Sequence, residues 1–178
     1  HLLICVWLKT VPYRQRSQKL PFMLGLKYKI ADKLVLNKFR AALGGKVRAC
    51  SSGGSALSKE VGSFFCGIGI SIIEGYGLTE TSPVMTIGHP DLFKFGTVGK
   101  AIPGVEVKIQ PDGEIVCRGH NVMMGYYKNE EATNEAIIDG WFHSGDIGEF
   151  DEDGLLRITD RKKSLIVTSG GKNVAPQP

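Results

Sequence analysis

The chain has 178 residues, 42% apolar and 22% charged, a globular composition sized for one domain or two small lobes, which excludes a disordered or fibrous chain. Four scattered cysteines (Cys5, Cys50, Cys66, Cys117) form no C-x-x-C pair, which excludes a zinc knuckle, argues against a disulfide scaffold and fits a reducing compartment. The net charge of +4 conceals an asymmetry: residues 1–50 carry eleven Lys/Arg against one acid, Asp32, while the remainder carries eleven against seventeen. No apolar run approaches the roughly 20 residues needed to cross a bilayer. Leu2–Leu8 is too short for a signal-peptide core. The first residue is His1 rather than Met, so a piece of a longer protein is expected.

Between Pro21 and Leu43, apolar residues recur at Met23, Leu26, Ile30, Leu34 and Ala41, widened by Val35, Phe39 and Leu43. This spacing predicts one helix, closed by Gly44-Gly45. Its apolar stripe is expected to pack on a core. The lysines around it (Lys27, Lys29, Lys33, Lys38) leave a second reading open, a peripheral contact with an anionic membrane surface or a phosphate-bearing ligand. Nucleic acid is not expected, because no recognition motif accompanies the basic residues. Lys46–Ser51 alternates like a strand, Ser58 is placed to cap a helix through Phe65, and Ile68–Glu74 reads as a buried strand. Strand, helix, strand at this spacing predicts a parallel βαβ unit.

After Pro83 the pattern shortens. Gly96–Lys100, Val105–Gln110 and Glu114–Arg118 are alternating runs separated by Pro103-Gly104 and Pro111-Asp112-Gly113 turns. Glu130–Ile138 predicts a short helix, and Asp146–Asp151 and Leu155–Asp160 predict two strands joined by Glu152-Asp153-Gly154. Asp151-x-Asp153-Gly154 has the start of a calcium loop but none of its later ligands, so a hairpin turn is expected. The fold class that follows is α/β: a partial parallel α/β subdomain, then a small antiparallel, barrel-like β subdomain.

Three stretches hold chemistry beyond what a scaffold needs. Ser51-Ser52-Gly53-Gly54-Ser55-Ala56 ends the first predicted strand with small residues that let a flat ligand approach the backbone. Glu74-Gly75-Tyr76-Gly77-Leu78-Thr79-Glu80-Thr81 ends the second, and ligands of α/β sheets bind beyond the carboxyl ends of strands. Tyr76 offers an aromatic face to a base, Thr79 a hydroxyl to a phosphate and Glu80 a hard oxygen to Mg²⁺. The same residues would also make a polar turn capped by a threonine, and local chemistry does not choose. The third stretch is Gly140-Trp141-Phe142-His143-Ser144-Gly145-Asp146, followed fourteen residues later by Asp160-Arg161-Lys162-Lys163. A carboxylate such as Asp146 can accept both hydroxyls of a ribose, with Arg161 supporting it. Either is equally at home in a surface ion pair. His143 has no partner acid or nucleophile in sequence and reads as a packing or hydrogen-bonding residue.

The ordered set SSGGSAL, EGYGLTETSPV, GTVGKAIPGVEVKI, GEIVCRGHNVMMGYY, GWFHSGDIGEFDEDG and ITDRKKSLIVTSGGKNVAP resembles the adenylate-forming superfamily, the long-chain fatty acyl-CoA synthetases most of all, from about Lys33 to the end. The resemblance implies an ATP-dependent ligation in two steps. A carboxylate attacks the α-phosphate of ATP to give an acyl-adenylate and pyrophosphate, and the thiol of coenzyme A then displaces AMP. It implies that Gly53, Gly54 and Ser55 line the adenine site with Tyr76 and Gly77, Tyr76 stacking on the base. It gives Thr79 the α-phosphate, Glu80 the Mg²⁺ and Asp146 the ribose, with Arg161 beside it. Asp160 would be the hinge of a C-terminal domain, and Gly170 and Gly171 a loop near the pantetheine tunnel.

Ser55-Ala56 departs from the family's common Ala-Pro, and Ser144 replaces a commoner Thr. The family's Ser/Thr/Gly-rich phosphate loop and its late catalytic lysine have no match here. The expectation is therefore a fragment, inactive alone: residues 1–82 part of an α/β nucleotide-binding subdomain, 83–159 a β-rich one, 160–178 the hinge and start of the C-terminal domain. The expected parent is cytoplasmic, with a possible peripheral contact at a membrane. A non-catalytic AMP-binding or partner-binding module, or a ligase adenylating an aryl acid or amino acid, stays as the alternative.

Overall fold

The computed structural model of the chain describes residues 6–162 and the backbone of 166–167 and 173–174. Its packing divides into two units. One takes the chain up to Gly75 together with Gly88–Thr97, and the other takes Tyr76–Ile87 with the chain from Val98 onward. No described helix is long and apolar enough to cross a membrane.

The first unit holds helix α1 (Val11–Gln15) and helix α2 (Phe22–Ala31). A π-helical turn, Asp32–Leu36, joins α2 to α3 (Asn37–Ala42). Gly44 and Gly45 then adopt left-handed φ of 84° and 71°, and their N–H groups bond to Ala41 and Arg40 carbonyls, so the expected glycine cap is present. The expected stripe is not buried in this unit. Met23, Ile30 and Leu34 are 60%, 52% and 54% exposed, whereas Ala31 and Leu36 are buried against Ile68 and Ile70, with Tyr28, Phe64, Phe65 and Trp7 around them. The π turn interrupts the regular period between the two buried positions. A regular α-helix puts residues five apart on different faces, and a π turn restacks them. Arg40 ties the turn down by gripping both oxygens of Asp32 (2.7 and 2.9 Å) and donating to the Ile68 carbonyl (2.6 Å).

Strand β1 (Ala49–Ser52), helix α4 (Lys59–Gly67) and strand β2 (Ser71–Tyr76) form the predicted right-order unit, β1 and β2 lying parallel with Ser52 opposite Glu74. The Ser58 hydroxyl accepts the Val61 N–H at 3.3 Å, capping α4. β2 starts at Ser71 rather than Ile68 because Gly69 turns at φ 94°.

In the second unit β3 (Thr86–Ile87) pairs antiparallel with β4 (Lys100–Ala101). A five-stranded antiparallel sheet follows, built from β5 (Val105–Ile109), β6 (Glu114–Gly119), β7 (Ile137–Ile138), β8 (Trp141–Phe150) and β9 (Leu156–Arg161). Their order is β5-β6-β8-β7, with β9 also on β8. Helix α5 (Glu130–Ala136) stops two residues earlier than its pattern suggests, because Ile137 and Ile138 pair with β8. β8 begins five residues before the predicted Asp146. Gly145 (φ 72°), which reads as a breaker, is a kink inside the strand. The core is Tyr76, Met85, Val105, Ile115, Cys117, Phe142 and Leu156. The Asp151 carboxylate accepts the Asp153 and Leu155 N–H groups at 2.9 Å each and Gly154 has φ 71°, which is the hairpin turn expected there. Backbone segments β10 (Ile166–Val167) and β11 (Asn173–Val174) pair antiparallel.

Candidate functional site

In the second unit three of the candidate residues meet at one carboxylate. The Tyr76 hydroxyl donates to Asp146 Oδ2 at 2.6 Å, and Arg161 Nε donates to Asp146 Oδ1 at 3.1 Å. Asp146 is 6% exposed, so its charge is held by these donors rather than by water. Arg161 is 71% exposed at the side chain, which makes its ion pair the weaker of the two contacts. Burial, reinforced by the hydrogen bond to Asp146, raises the Tyr76 phenol far above the ordinary tyrosine range.

The register of the sheet makes this meeting possible. Along the β8–β9 hairpin Phe150 pairs with Leu156 and Gly148 with Ile158, a ladder that would set Arg161 opposite Gly145. A one-residue shift between Ile147 and Gly148 places Arg161 opposite Asp146 instead. On the other side, β8 bulges from β6: Val116 faces His143, yet Glu114 faces Ile147. Asp146 rides on that bulge. The Ser144 hydroxyl secures it by donating to the Ile115 carbonyl (2.7 Å) and accepting the Asp146 N–H (3.1 Å). Ser144 thus does through its hydroxyl alone what a threonine would do.

The chain leaves β2 at Tyr76 and turns at Gly77, where a Cβ would run into the Pro83 carbonyl. Thr79–Thr81 makes one 3₁₀ turn, and Ser82 precedes a cis peptide to Pro83. Thr81 fixes the turn: its hydroxyl accepts the Leu78 N–H (2.9 Å) and donates to the Leu78 carbonyl (3.0 Å). Thr79 is left exposed. Glu80 is half-buried, and its Oε1 accepts the Tyr126 hydroxyl at 2.8 Å. That bond raises the Tyr126 phenol. Tyr126 is a site neighbour no local signal could reveal, since it lies 46 residues away.

In the first unit Gly53, Gly54 and Ser55 follow β1 as an exposed loop, with Gly54 at φ 83°. Glu74, buried at the end of β2, accepts the Leu57 N–H (3.2 Å) and the Gly96 N–H (3.1 Å), pinning the far end of that loop. His143 Nδ1 donates to the Glu114 carboxylate at 2.9 Å, the hydrogen-bonding role expected of it. Asp160 lies in β9 opposite Ile147. Gly170 and Gly171 lie outside the described residues.

A parallel βαβ unit ending in a loop of glycines and hydroxyls is an arrangement in which α/β proteins hold nucleotides, and the second unit holds a buried aspartate taken by a tyrosine and an arginine. The profile of the family described as AMP-binding enzyme matches residues 17–127, and the chain belongs to that family. It is 53% identical over 154 residues to the long-chain-fatty-acid–CoA ligase FadD15 of Mycobacterium bovis, covering 86% of this chain and 26% of that protein. It is 44% identical over 160 residues to the long-chain-fatty-acid–CoA ligase ACSBG2 of Xenopus laevis, covering 86% and 22%. Among solved structures it is similar to unliganded O-succinylbenzoate coenzyme A synthetase from Bacillus subtilis, with TM-score 0.67, 30% identity and coverage of 78% of this chain and 34% of that one. A fatty acyl CoA synthetase of Mycobacterium tuberculosis is also similar, with TM-score 0.62, 32% identity and coverage of 79% and 31%. The chain thus spans about a quarter of the length of the curated relatives it matches.

Proposed function

We propose that the chain is the later nucleotide-binding part of an ATP-dependent long-chain fatty acid–CoA ligase. The observation that carries this is the convergence of the Tyr76 hydroxyl and Arg161 on the buried Asp146, in a member of the AMP-binding family 53% identical to a long-chain ligase. In the first step the fatty carboxylate oxygen bonds to the α-phosphorus of ATP and pyrophosphate leaves. In the second the sulfur of coenzyme A bonds to the acyl carbon and AMP leaves. Tyr76 borders the adenine site from the edge of the core while its hydroxyl holds Asp146, whose oxygens accept the ribose hydroxyls. Gly77, where the chain turns out of β2, keeps the backbone open beside it, and Thr79, exposed on its turn, donates to the α-phosphate. Asp160 serves as hinge and Gly170-Gly171 as the pantetheine loop.

Among the described residues no three His, Cys, Asp or Glu side chains cluster as they would for a resident ion. A Mg²⁺ that arrives on nucleotide phosphates needs only one or two carboxylates, and half-buried Glu80, steadied by Tyr126, fits that role. Bound there, the ion would neutralise charge developing on the phosphate oxygens. The setting we propose is the cytoplasm, in peripheral contact with a membrane.

The test is ATP–pyrophosphate exchange by the full-length protein with long-chain fatty acids. Exchange is expected, with Glu80→Gln lowering it by several kcal/mol of barrier, on the order of 100-fold or more. Exchange with aryl or amino acids alone would move the assignment to another adenylating ligase, and none with any acid to a non-catalytic AMP-binding module. Unchanged exchange in Glu80→Gln would remove Glu80 from the metal. The 178 residues alone are expected to form no thioester, because they contain no match to the loop that neutralises the pyrophosphate leaving group.

A further inference from the structure

Glu114 lies outside every role assigned above, yet the Asp146–Arg161 pair is anchored through it. It opens β6 with a side chain only 5% exposed. Its Oε1 accepts the Gly145 N–H at 3.0 Å, and its Oε2 faces His143 Nδ1 and Lys162 Nζ at 2.9 Å each. Gly145 immediately precedes Asp146, and Lys162 immediately follows Arg161. One buried carboxylate therefore holds the neighbours of both members of the pair, one on β8 and one at the end of β9.

The hold is needed at that place. Between Glu114 and Val116 the β6–β8 ladder breaks, and β8 runs from His143 to Ile147 with two residues in excess. A bulge of this kind deprives its residues of ladder partners and re-aims their side chains. The Glu114 carboxylate supplies the Gly145 N–H with the acceptor that the ladder does not. Burial by itself would push the Glu114 carboxyl up. The bonds from His143, Lys162 and Gly145 outweigh burial and hold it below the ordinary carboxylate range, so the group is a full negative charge at neutral pH. Lys162 is shared with Asp112 at 2.8 Å, which keeps the ammonium over this corner.

We propose that Glu114 is a positioning residue for nucleotide binding: it fixes the bulge that carries Asp146 and the strand end that carries Arg161, so that Asp146 meets a ribose diol. This rests on the assignment of Asp146 to the ribose. It makes Glu114 act only through Asp146, and only on ligands that have ribose hydroxyls.

The experiment is calorimetric titration of the full-length protein with AMP and with 2′,3′-dideoxy-AMP, for wild type, Glu114→Gln, Asp146→Asn and the double variant. Wild type is expected to prefer AMP. Glu114→Gln is expected to weaken AMP about tenfold, the scale of coupling inside one hydrogen-bond network, and to leave the dideoxy nucleotide within twofold. In the Asp146→Asn background the same change is expected to add nothing. If wild type binds both nucleotides equally, the ribose role of Asp146 falls and the Glu114 proposal with it. If wild type discriminates and Glu114→Gln discriminates as strongly, the ribose role stands and the Glu114 proposal is overturned. Equal losses for both nucleotides also overturn it, because a general loosening of the fold would act on both. Should Glu114→Gln fail to fold, Lys162→Met at its exposed position reads the same clamp, with about threefold weaker AMP expected and unchanged AMP affinity contrary to the proposal.

Discussion

Tyr76→Phe removes a single oxygen and leaves the ring in the core, so it isolates the hydrogen bond to Asp146. The bond is short (2.6 Å), donated to a carboxylate, and buried at both ends. Bonds of this kind contribute about 1.5–3 kcal/mol, and the exposed Arg161 cannot replace the lost donor on the other oxygen. We expect the variant to be about 2 kcal/mol less stable at pH 7–9 in urea unfolding. The pH dependence gives a second, independent reading. The folded phenol titrates far above the unfolded value of about 10, so the native state keeps a proton that the unfolded chain gives up. Below pH 10 both states are protonated and the contribution is complete. Above it, the wild type loses up to about 1.4 kcal/mol per pH unit from this group alone. Phenylalanine has no such loss, so the gap between the two proteins should shrink from about 2 to about 0.6 kcal/mol between pH 9 and pH 11. Other lysines and tyrosines titrate in the same range but cancel in the difference. A variant within about 0.5 kcal/mol of wild type at pH 8, or a gap that stays constant to pH 11, would refute the role given to this bond.

Gly77→Ala drives a Cβ into the Pro83 backbone, so the strand-end loop must move. The expected result is lost AMP binding with the rest of the fold retained, read by calorimetry beside circular dichroism. Among the described cysteines, Cys50 is exposed, while burial pushes the Cys66 and Cys117 thiols up to about 11. Iodoacetamide at pH 8 should therefore label Cys50 first by mass spectrometry, and early labelling of Cys66 or Cys117 would contradict their packing. The exposed Met23, Ile30 and Leu34 lie among Lys27, Lys29, Lys33 and Lys38, so co-sedimentation of the full-length protein with anionic vesicles is expected at low salt and should fade at high salt. Absence of binding at low salt would leave the stripe to other protein surfaces.

Local rules carried the parts of the fold that depend on neighbours in sequence. The Ser58 cap, the Gly44-Gly45 stop and the Asp151–Gly154 turn each follow from a residue acting within a few positions of itself, and the parallel β1-α4-β2 unit from the order of such elements. The departures lie where a regular period breaks or where a glycine stands at or inside a strand. The α2–α3 stripe assumes 3.6 residues per turn, whereas a π turn interrupts that period at Asp32–Leu36, and Leu36, outside the stripe, is buried while Ile30 and Leu34 are exposed. The strand expected from Asp146 begins at Trp141 and runs through Gly145 on a bulge. The same distinction governs the site. Tyr76, Glu80, Asp146 and Arg161 were visible one at a time through motif chemistry, but their partners were not. Tyr76 reaches Asp146 across 70 residues and Tyr126 reaches Glu80 across 46, and periodicity carries no information at that range. Arg161 stands opposite Asp146 only because β8 shifts register once against β9 and bulges against β6. A shift of one residue reverses which face a strand side chain takes. The geometry that buries Asp146 between Tyr76 and Arg161 rather than leaving it a surface acid is thus set by irregularities. Glu114, which holds them in place, appears in the sequence only as one more alternating residue after a Pro-Asp-Gly turn.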